Sequence, residues 1–388
     1  MEENVNRTHI NSLVEFLQQD PLPKFTNGPK VAQFEKEWGN WQGSHFNTMV
    51  GSGSMANEIS LLILKHLYPD GGDILLTPIG WISDVAAILQ AGFNPVFVDI
   101  DPQTFSVDKE DLRKKITKQT RGLLLVHVLG IVGFKDDDII NICKENNLIL
   151  IEDCCESHGA TYKNSKIGSF GEINNFSFFY AHHLCSLSEG GMIGTNNNEI
   201  YQLSRIFRSH GMVRESTDIE FKNKIALENP SVHPDFIFLD AAHNGRSQEC
   251  NAVVASSALP DLTDNCRKRA ENLNYFIGNL DSNKYRTNIN LEGNSAYALL
   301  VVLKNPSFAS RNLVEEKLKG YSVEFRRGLS GGGSALRQNY LKRKLGDISK
   351  QFPQSEYVSD FGFYIGNYPN LPKYKIDNLL RILNSTNI

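Results

Sequence analysis

The sequence predicts an α/β protein with a mostly parallel sheet in a large N-terminal domain and a smaller α+β domain at the C-terminus. Apolar runs that suit buried strands alternate with helical stretches, and this alternation requires crossovers that make neighbouring strands parallel. The predicted strands are residues 73–78, 94–100, 122–129, 148–152, 173–179 and 192–195. A chain of 388 residues also exceeds what one hydrophobic core usually supports, so two domains are expected.

The boundary between the two predicted domains falls after residue 248. A hinge is expected at residues 244–255, and charged helical sequence at 264–280 leads into the smaller part. We therefore expect a large domain of residues 1–248 and a small domain of residues 249–388. Residues 196–198 and 331–333 are rich in Asn and Gly and predict loops. The triple glycine of the second loop fits either a mobile substrate flap or an ordinary surface turn.

Composition disfavours several classes of protein. The net charge of -4 argues against a nucleic-acid-binding surface. No stretch approaches the roughly twenty apolar residues that a membrane span needs, and the acidic start Met-Glu-Glu-Asn is unlike a signal peptide. We therefore expect a cytoplasmic protein. The six cysteines form no Cys-x-x-Cys pair, so neither a metal site nor a disulfide framework is predicted.

Three segments carry candidate ligand groups. Residues 51–57, Gly-Ser-Gly-Ser-Met-Ala-Asn, open an apolar helical run; free N–H groups at the positive end of a helix dipole form an anion cradle. A second apolar run delivers the carboxylate of Asp153 into a turn, and the pair His182 and His183 follows the next strand. Because ligand groups gather at the carboxyl ends of parallel strands, we expect Trp81, Asp153 and His182 to lie at one edge of the sheet.

The histidine pair lies in a segment with a recognisable pattern, Ser177-Phe-Phe-Tyr-Ala-His-His-Leu-Cys-Ser-Leu-Ser-Glu-Gly-Gly191. It resembles the cofactor-lysine segment of the DegT/DnrJ/EryC1/StrS sugar aminotransferases, which use pyridoxal phosphate, with His182 in place of the lysine. Further matches run in the same order from residue 28 to residue 367. The resemblance implies fold type I of the pyridoxal phosphate-dependent transferases, the fold of aspartate aminotransferase.

The missing lysine changes what the cofactor can do. An imidazole cannot form a Schiff base with the cofactor aldehyde, and the chain has no lysine between Lys166 and Lys222. The resemblance therefore implies pyridoxal 5'-phosphate or pyridoxamine 5'-phosphate held without a covalent link. By the same resemblance Asp153 pairs with the pyridine nitrogen and keeps the ring an electron sink. Glu156 then lies near the ring hydroxyl, and Trp81 stacks on the ring.

The remaining site residues are also implied by the resemblance. Backbone groups of Ser54 and Met55 hold the cofactor phosphate, and Ser177 is a further cofactor-binding residue. Asn244, in an Asn-x-Arg segment, reaches the phosphate of the neighbouring subunit, so the active sites of a homodimer are shared. The expected substrate-binding residues are His210, Arg214, Arg246 and Arg326.

Histidine in place of lysine marks a branch of this family that removes a hydroxyl group. The implied activity is 3-dehydration of a nucleotide-linked 4-keto-6-deoxy sugar in deoxysugar and polysaccharide biosynthesis, with glutamate as amino donor. His182 is the expected catalytic residue and moves the protons. Another histidine-bearing branch carries an iron–sulfur cluster whose cysteines follow an Arg-x-His-Gly segment; residues 211–249 contain no cysteine.

Three alternatives stay open. The loop between the histidines and Glu189 is one residue longer than expected, so counting back from Glu189 favours His183, whereas counting forward from Ser177 favours His182. An ordinary aminotransferase is the second alternative, which the lysine gap disfavours. A catalytically inactive, aminotransferase-like binding protein is the third, and the retained Asp153 argues against it.

Overall fold

The computed structural model describes residues 5–388 and contains a seven-stranded central sheet. In spatial order its strands are β1 (Phe46–Val50), β9 (Gly191–Thr195), β8 (Ile173–Ser177), β5 (Ile149–Asp153), β4 (Thr120–Val126), β2 (Asp73–Leu76) and β3 (Asn94–Phe97). β9 runs antiparallel to both of its neighbours, and the pairs from β8 to β3 are parallel. The predicted α/β class with a mostly parallel sheet is confirmed.

A second sheet lies in the C-terminal part and has three antiparallel strands. Its order is β10 (Ala298–Val302), β12 (Gly362–Gly366) and β11 (Phe325–Arg327), and a short hairpin is formed by β6 (Thr161–Tyr162) and β7 (Ser165–Lys166). The helices are α1 (Arg7–Leu17), α2 (Pro29–Gln42), α3 (Gly53–Leu67), α4 (Ile82–Gln90), α5 (Lys109–Lys115), α6 (Asp138–Glu145), α7 (Asn198–Arg208), α8 (Ile219–Glu228), α9 (Glu249–Ala258), α10 (Leu262–Gly278), α11 (Phe308–Gly320), α12 (Asn339–Leu345), α13 (Pro353–Phe361) and α14 (Lys373–Asn384). Among residues 5–388 no helix is both long and apolar enough to cross a bilayer.

Helices cover both faces of the central sheet, which explains why its strands are continuous apolar runs. Along β4, Leu123 and Leu125 pack into the cluster that contains α2, whereas Leu124 packs into the cluster that contains α3 and α4. Successive side chains of a strand point to opposite faces, so a strand covered on both sides needs apolar residues at every position. All six predicted strands are present, with ends that differ by a few residues.

The structure corrects the sequence expectations at two places. Strand β1 was not predicted, because Phe46-Asn-Thr-Met-Val50 carries two polar residues and lies at the sheet edge. The loop expected at residues 196–198 is shorter, since Asn197 caps α7 by accepting N–H bonds from Glu199 and Ile200, and Asn198 is already helical. The loop at residues 331–333 is present.

The first helix after residue 248 makes contacts on both sides of the predicted domain boundary. Helix α9 packs on α1 and α2. Its buried Glu249 carboxylate accepts the backbone N–H groups of Gly28, Lys30 and Val31 at 2.8–2.9 Å, which satisfies the free donors at the start of α2. The division into residues 1–248 and 249–388 stays a prediction.

Candidate active site

Helix α3 starts where the sequence predicts an anion cradle, at residues 52–55. Ser52 caps the helix, and its side chain accepts the Met55 N–H at 3.1 Å. The Met55 N–H is therefore already bonded to the cap. The N–H groups of Gly53 and Ser54, in the first turn, have no acceptor inside the helix. A Cβ on Gly53 would lie 2.5 Å from Cβ of Ser177, the last residue of β8. Helix start and strand end therefore meet at a place where only glycine fits.

Asp153 ends β5 and is held in a buried network of amide side chains. Its carboxylate is 5% exposed and accepts Nδ2 of Asn57 at 2.7 Å and the N–H of Cys155 at 2.9 Å. The Asn57 amide also donates to Asp84 at 2.8 Å and accepts Nδ2 of Asn175 at 2.8 Å. Residues of α3, α4 and β8 thus take part in one hydrogen-bond network that fixes the orientation of the Asp153 carboxylate.

Trp81 precedes α4 and exposes a large apolar surface beside this network. Its side chain is 59% exposed, an unusual state for tryptophan. The glycine turn at residues 331–333 reaches the same loop: a Cβ on Gly331 would lie 2.3 Å from the Gly80 carbonyl oxygen. Gly331 has φ +57°, a backbone conformation that glycine adopts without strain. The triple glycine is thus a turn packed against the tryptophan loop.

Glu156 lies in the turn after β5 and faces the C-terminal part. Its carboxylate accepts the Leu129 N–H at 3.0 Å and lies 3.4 Å from the Ser330 hydroxyl. Burial raises the pKa of Glu156 to about 7, and the charge of Asp153 acts in the same direction. Glu156 is therefore a group that exchanges a proton near neutral pH.

His182 follows β8 in a short turn and is held by aromatic rings on two sides. Its ring lies edge-on to Phe179 and to Tyr297, with centroids 5.5 Å apart in both pairs. Nδ1 lies 3.2 Å from the Ser177 carbonyl oxygen, which can only accept, so the neutral ring has its proton on Nδ1 and its basic lone pair on Nε2. Burial lowers the pKa of His182 to about 4 against the opposing effects of that carbonyl and of Asp153. The imidazole is a neutral base at neutral pH.

His183 has different surroundings from His182. It is buried, and its Nε2 donates to the carbonyl oxygen of Ser295 at 3.1 Å. Its ring packs on His158, with centroids 5.3 Å apart, and burial lowers its pKa well below the ordinary histidine value. This ring joins the segment after β8 to the C-terminal part, whereas His182 lies closer to the carboxylate network.

Several residues of the site are missing from the sequence prediction. Asn57 and Asp84 are single polar positions in apolar helical runs, and nothing in their spacing indicates that they meet Asp153. Tyr297 precedes β10 and packs on His182. Burial raises the pKa of Tyr297 well above the tyrosine value, the charge of Glu156 raises it further, and that of Arg326 opposes. A long-range contact of this kind leaves no local signal in a sequence.

The predicted substrate-binding residues fall into two groups. Exposed Arg326, on β11, acts electrostatically on Tyr297 and Tyr364, which places it on the His182 side. The other three lie in the segment between α7 and α9. His210 donates its N–H to His243, Arg214 lies over the Phe236 ring at 5.8 Å, and Arg246 bridges to Val50.

Asn244 lies beside the cradle of its own chain and is exposed. Its Oδ1 accepts the Arg246 N–H at 3.2 Å, which makes a local turn, and its backbone bridges to Ser209. The adjacent Gly245 accepts the Gly51 N–H at 2.9 Å. The contact of Asn244 with the phosphate of a second subunit stays a prediction.

Comparison with known proteins connects this geometry to a family. The sequence profile of the DegT/DnrJ/EryC1/StrS aminotransferase family matches residues 5–384. The chain belongs to that family. It is 30% identical over 374 residues to GDP-4-keto-6-deoxy-D-mannose 3-dehydratase of Escherichia coli O55:H7, covering 92% of this chain and 93% of that one. It is also 32% identical over 257 residues to GDP-perosamine synthase of Escherichia coli O157:H7, covering 66% of this family member and 65% of the synthase.

The fold is shared with solved structures of the family. A crystal structure of GDP-4-keto-6-deoxymannose-3-dehydratase with a trapped PLP-glutamate geminal diamine superposes with a TM-score of 0.86. It is 28% identical to this family member, and the match covers 97% of both chains. The predicted fold of the pyridoxal phosphate-dependent aminotransferases is thereby confirmed.

Proposed function

We propose that this family member is a pyridoxal phosphate- and pyridoxamine phosphate-dependent 3-dehydratase of a nucleotide-linked 4-keto-6-deoxy sugar. The chain is an enzyme of the pyridoxal phosphate-dependent sugar-modifying family. The observation that carries the finer proposal is His182 at the end of β8, where the sequence pattern expects lysine. GDP-4-keto-6-deoxymannose is the first substrate to test, since the relatives named for its dehydration align over 92% of the chain.

The residues present fit the cofactor. Gly53 at the start of α3 lets the helix approach Ser177 closely, since a Cβ on it would lie 2.5 Å from Cβ of Ser177. First-turn amides at this helix end suit a phosphate. Exposed Trp81 suits a stacked pyridine ring, and buried Asp153, oriented by Asn57, suits the ring nitrogen. When bound, the cofactor supplies an amine for the C4 ketone of the sugar and a ring that takes up electrons.

The two lysines that flank His182 in the sequence, Lys166 and Lys222, lie on β7 and α8. The side-chain amine of Lys166 donates to the Trp41 carbonyl and lies 4.7 Å from the Trp41 ring centroid. The next lysine, Lys222, is on α8, a helix with no buried residue. Free pyridoxamine phosphate therefore fits this site better than a lysine-linked aldehyde, which favours dehydration over ordinary transamination.

His182 supplies the proton transfers that loss of a hydroxyl requires. Its Nε2 lone pair would take the proton that the bound amine form of the cofactor gives up as the C3–O bond breaks, and would pass that proton to the departing hydroxyl, which leaves as water. The low pKa keeps this ring neutral and able to accept at neutral pH. Phe179 and Tyr297 hold the ring in place and restrict water. Acid–base help of this kind accelerates reactions by roughly a hundred- to ten-thousand-fold.

Glutamate is the proposed amino donor that restores the amine form of the cofactor. A homodimer with shared sites is also proposed, as the family resemblance implies, and the exposed position of Asn244 fits such sharing. In such a dimer Asn244 would bind the cofactor phosphate in the site of the partner subunit.

The test is to incubate the protein with GDP-4-keto-6-deoxymannose, pyridoxal phosphate and glutamate and to identify the product by mass. The proposal expects a 3-deoxy sugar nucleotide and released ammonia. A 4-amino sugar nucleotide as the product would show an aminotransferase instead, and no turnover across a panel of nucleotide 4-keto-6-deoxy sugars would favour a binding protein.

A further inference from the structure

A second carboxyl group, that of Asp84, is buried beside Asp153, the residue proposed to pair with the cofactor ring. Asp84, in the first turn of α4, is 2% exposed, and Nδ2 of Asn57 donates to it at 2.8 Å while donating to Asp153 at 2.7 Å. One amide thus bridges two carboxyl groups. Oδ2 of Asp84 meets no hydrogen-bond donor within residues 5–388 and packs where a Cβ on Gly80 would lie 2.7 Å away.

Two buried carboxyl groups that accept from the same amide nitrogen do not both ionise, because their charges repel and neither is solvated. Burial raises the pKa of Asp84 well above the aspartate value, and the charge and hydrogen bond of Asp153 raise it further. Glu156 adds a smaller effect of the same sign. Asp153 also acts on three other titratable groups: burial keeps the Cys154 and Cys155 thiols neutral, and burial lowers the pKa of His182 to about 4, so that its ring carries no charge at neutral pH.

The hydrogen bonds indicate which aspartate keeps the proton. Asp153 accepts two donors, the Asn57 amide and the Cys155 N–H, and each stabilises a negative charge. Asp84 accepts the Asn57 amide, the backbone of Trp81 lowers its pKa only slightly against the larger opposing effects, and its Oδ2 meets no donor within residues 5–388. A proton on Asp84 removes the cost of the unpaired oxygen and provides a donor to Asp153.

We propose that Asp84 and Asp153 form an acid pair that shares one proton, held by Asp84, and that Asp84 is a positioning residue for Asp153 and for the Trp81 loop. The backbone supports the second part, since the Asp84 N–H donates to the Trp81 carbonyl oxygen at 3.2 Å. One residue thereby links the carboxylate proposed for the ring nitrogen to the ring proposed to stack on the cofactor. The pair presents a single negative charge to the ring.

The inference rests on the proposed cofactor site for its role, but the protonation state is testable without cofactor or substrate. The full-length protein before cofactor addition should show the infrared carbonyl band of a protonated carboxyl group that persists at about pH 8, above the pKa of about 7 of Glu156 and far above the range in which an ordinary aspartate is protonated. Asp84→Asn should remove that band. Glu156→Gln is the matched control and should leave it in place. An unchanged infrared spectrum in Asp84→Asn would overturn the shared proton.

Pyridoxal phosphate binding to the full chain tests the positioning role. Asn is neutral and can donate to Asp153, so Asp84→Asn should keep the dissociation constant and the pH dependence of the bound-cofactor absorbance. Asp84→Leu fills the space without a donor and should bind about tenfold more weakly, the loss expected for one hydrogen bond to a charged group. If Asp84→Asn binds as weakly as Asp84→Leu, or shifts the absorbance titration, the neutral-donor role is wrong. A protein that keeps these results but dehydrates no sugar would leave the acid pair standing and remove only the proposed reaction.

Discussion

Replacing each of the two adjacent histidines by asparagine separates catalysis from packing. His182→Asn removes the basic Nε2 that the proposed reaction requires, whereas asparagine can still bond to the Ser177 carbonyl oxygen now 3.2 Å from Nδ1. His183→Asn removes a buried ring that bonds to Ser295 at 3.1 Å and packs on His158. The first change should therefore reduce turnover and the second should reduce stability.

The expected sizes differ enough to be measured. Loss of acid–base help lowers kcat by roughly a hundred- to ten-thousand-fold, or about 3 to 5 kcal/mol at 1.36 kcal/mol per tenfold change. Loss of one neutral hydrogen bond costs about 1 kcal/mol of unfolding free energy, and the cavity left by the smaller side chain adds to this. His183→Asn should thus unfold at lower temperature but retain kcat within a few-fold.

Single-turnover formation of the 3-deoxy product and thermal unfolding of both variants provide the assay. Pyridoxamine phosphate binding should persist in His182→Asn, since none of its proposed ligands is changed. Parent-like turnover in His182→Asn combined with an inactive, folded His183→Asn would refute the assignment and move the catalytic role to His183.

Three further outcomes are expected. Gly53→Ala should weaken pyridoxal phosphate binding at least tenfold, because its Cβ would lie 2.5 Å from Cβ of Ser177. The control Gly278→Ala, whose Cβ would have no atom within 4 Å, should bind the cofactor normally. Equal binding by the two variants would contradict a phosphate site at the start of α3. The value of kcat/KM should fall as the pH drops toward 4, because protonation of His182 removes the base. It should also change near pH 7, and this second change should disappear in Glu156→Gln. If the change near pH 7 survives in that variant, it belongs to another group. Mixed Asn244→Ala and His182→Asn subunits should partly recover activity in a shared-site dimer, and no recovery after verified subunit exchange would assign Asn244 to its own chain.

The sequence predicted the parts of the fold that leave local patterns. Continuous apolar runs indicated strands buried on both faces, and the small residues before α3 indicated a helix start with free amides. Strand β1 was not predicted, because this edge strand contains Asn47 and Thr48 and so lacks a continuous apolar run. Its polar side chains are satisfied by distant or local partners, as in the bond between Thr48 and Ser204 at 2.7 Å.

The residues that complete the site are those brought in by tertiary contacts. Tyr297 lies more than a hundred positions from His182 in the sequence and meets it only because the C-terminal part folds back onto the sheet edge. Asp84 resembles an ordinary acidic residue in the first turn of a helix, a common and stabilising position. Only its burial against Asp153 shows that it belongs to the site.

The central claim is that His182 occupies the position of the cofactor lysine. The most direct measurement is the intact mass of the parent and of His182→Lys after each is mixed with pyridoxal phosphate and reduced with borohydride. The parent should keep its unmodified mass, because the site offers no amine. His182→Lys should gain one cofactor, attached at residue 182. A covalent adduct on any lysine of the parent, or a folded, cofactor-binding His182→Lys variant that stays unmodified, would contradict the claim.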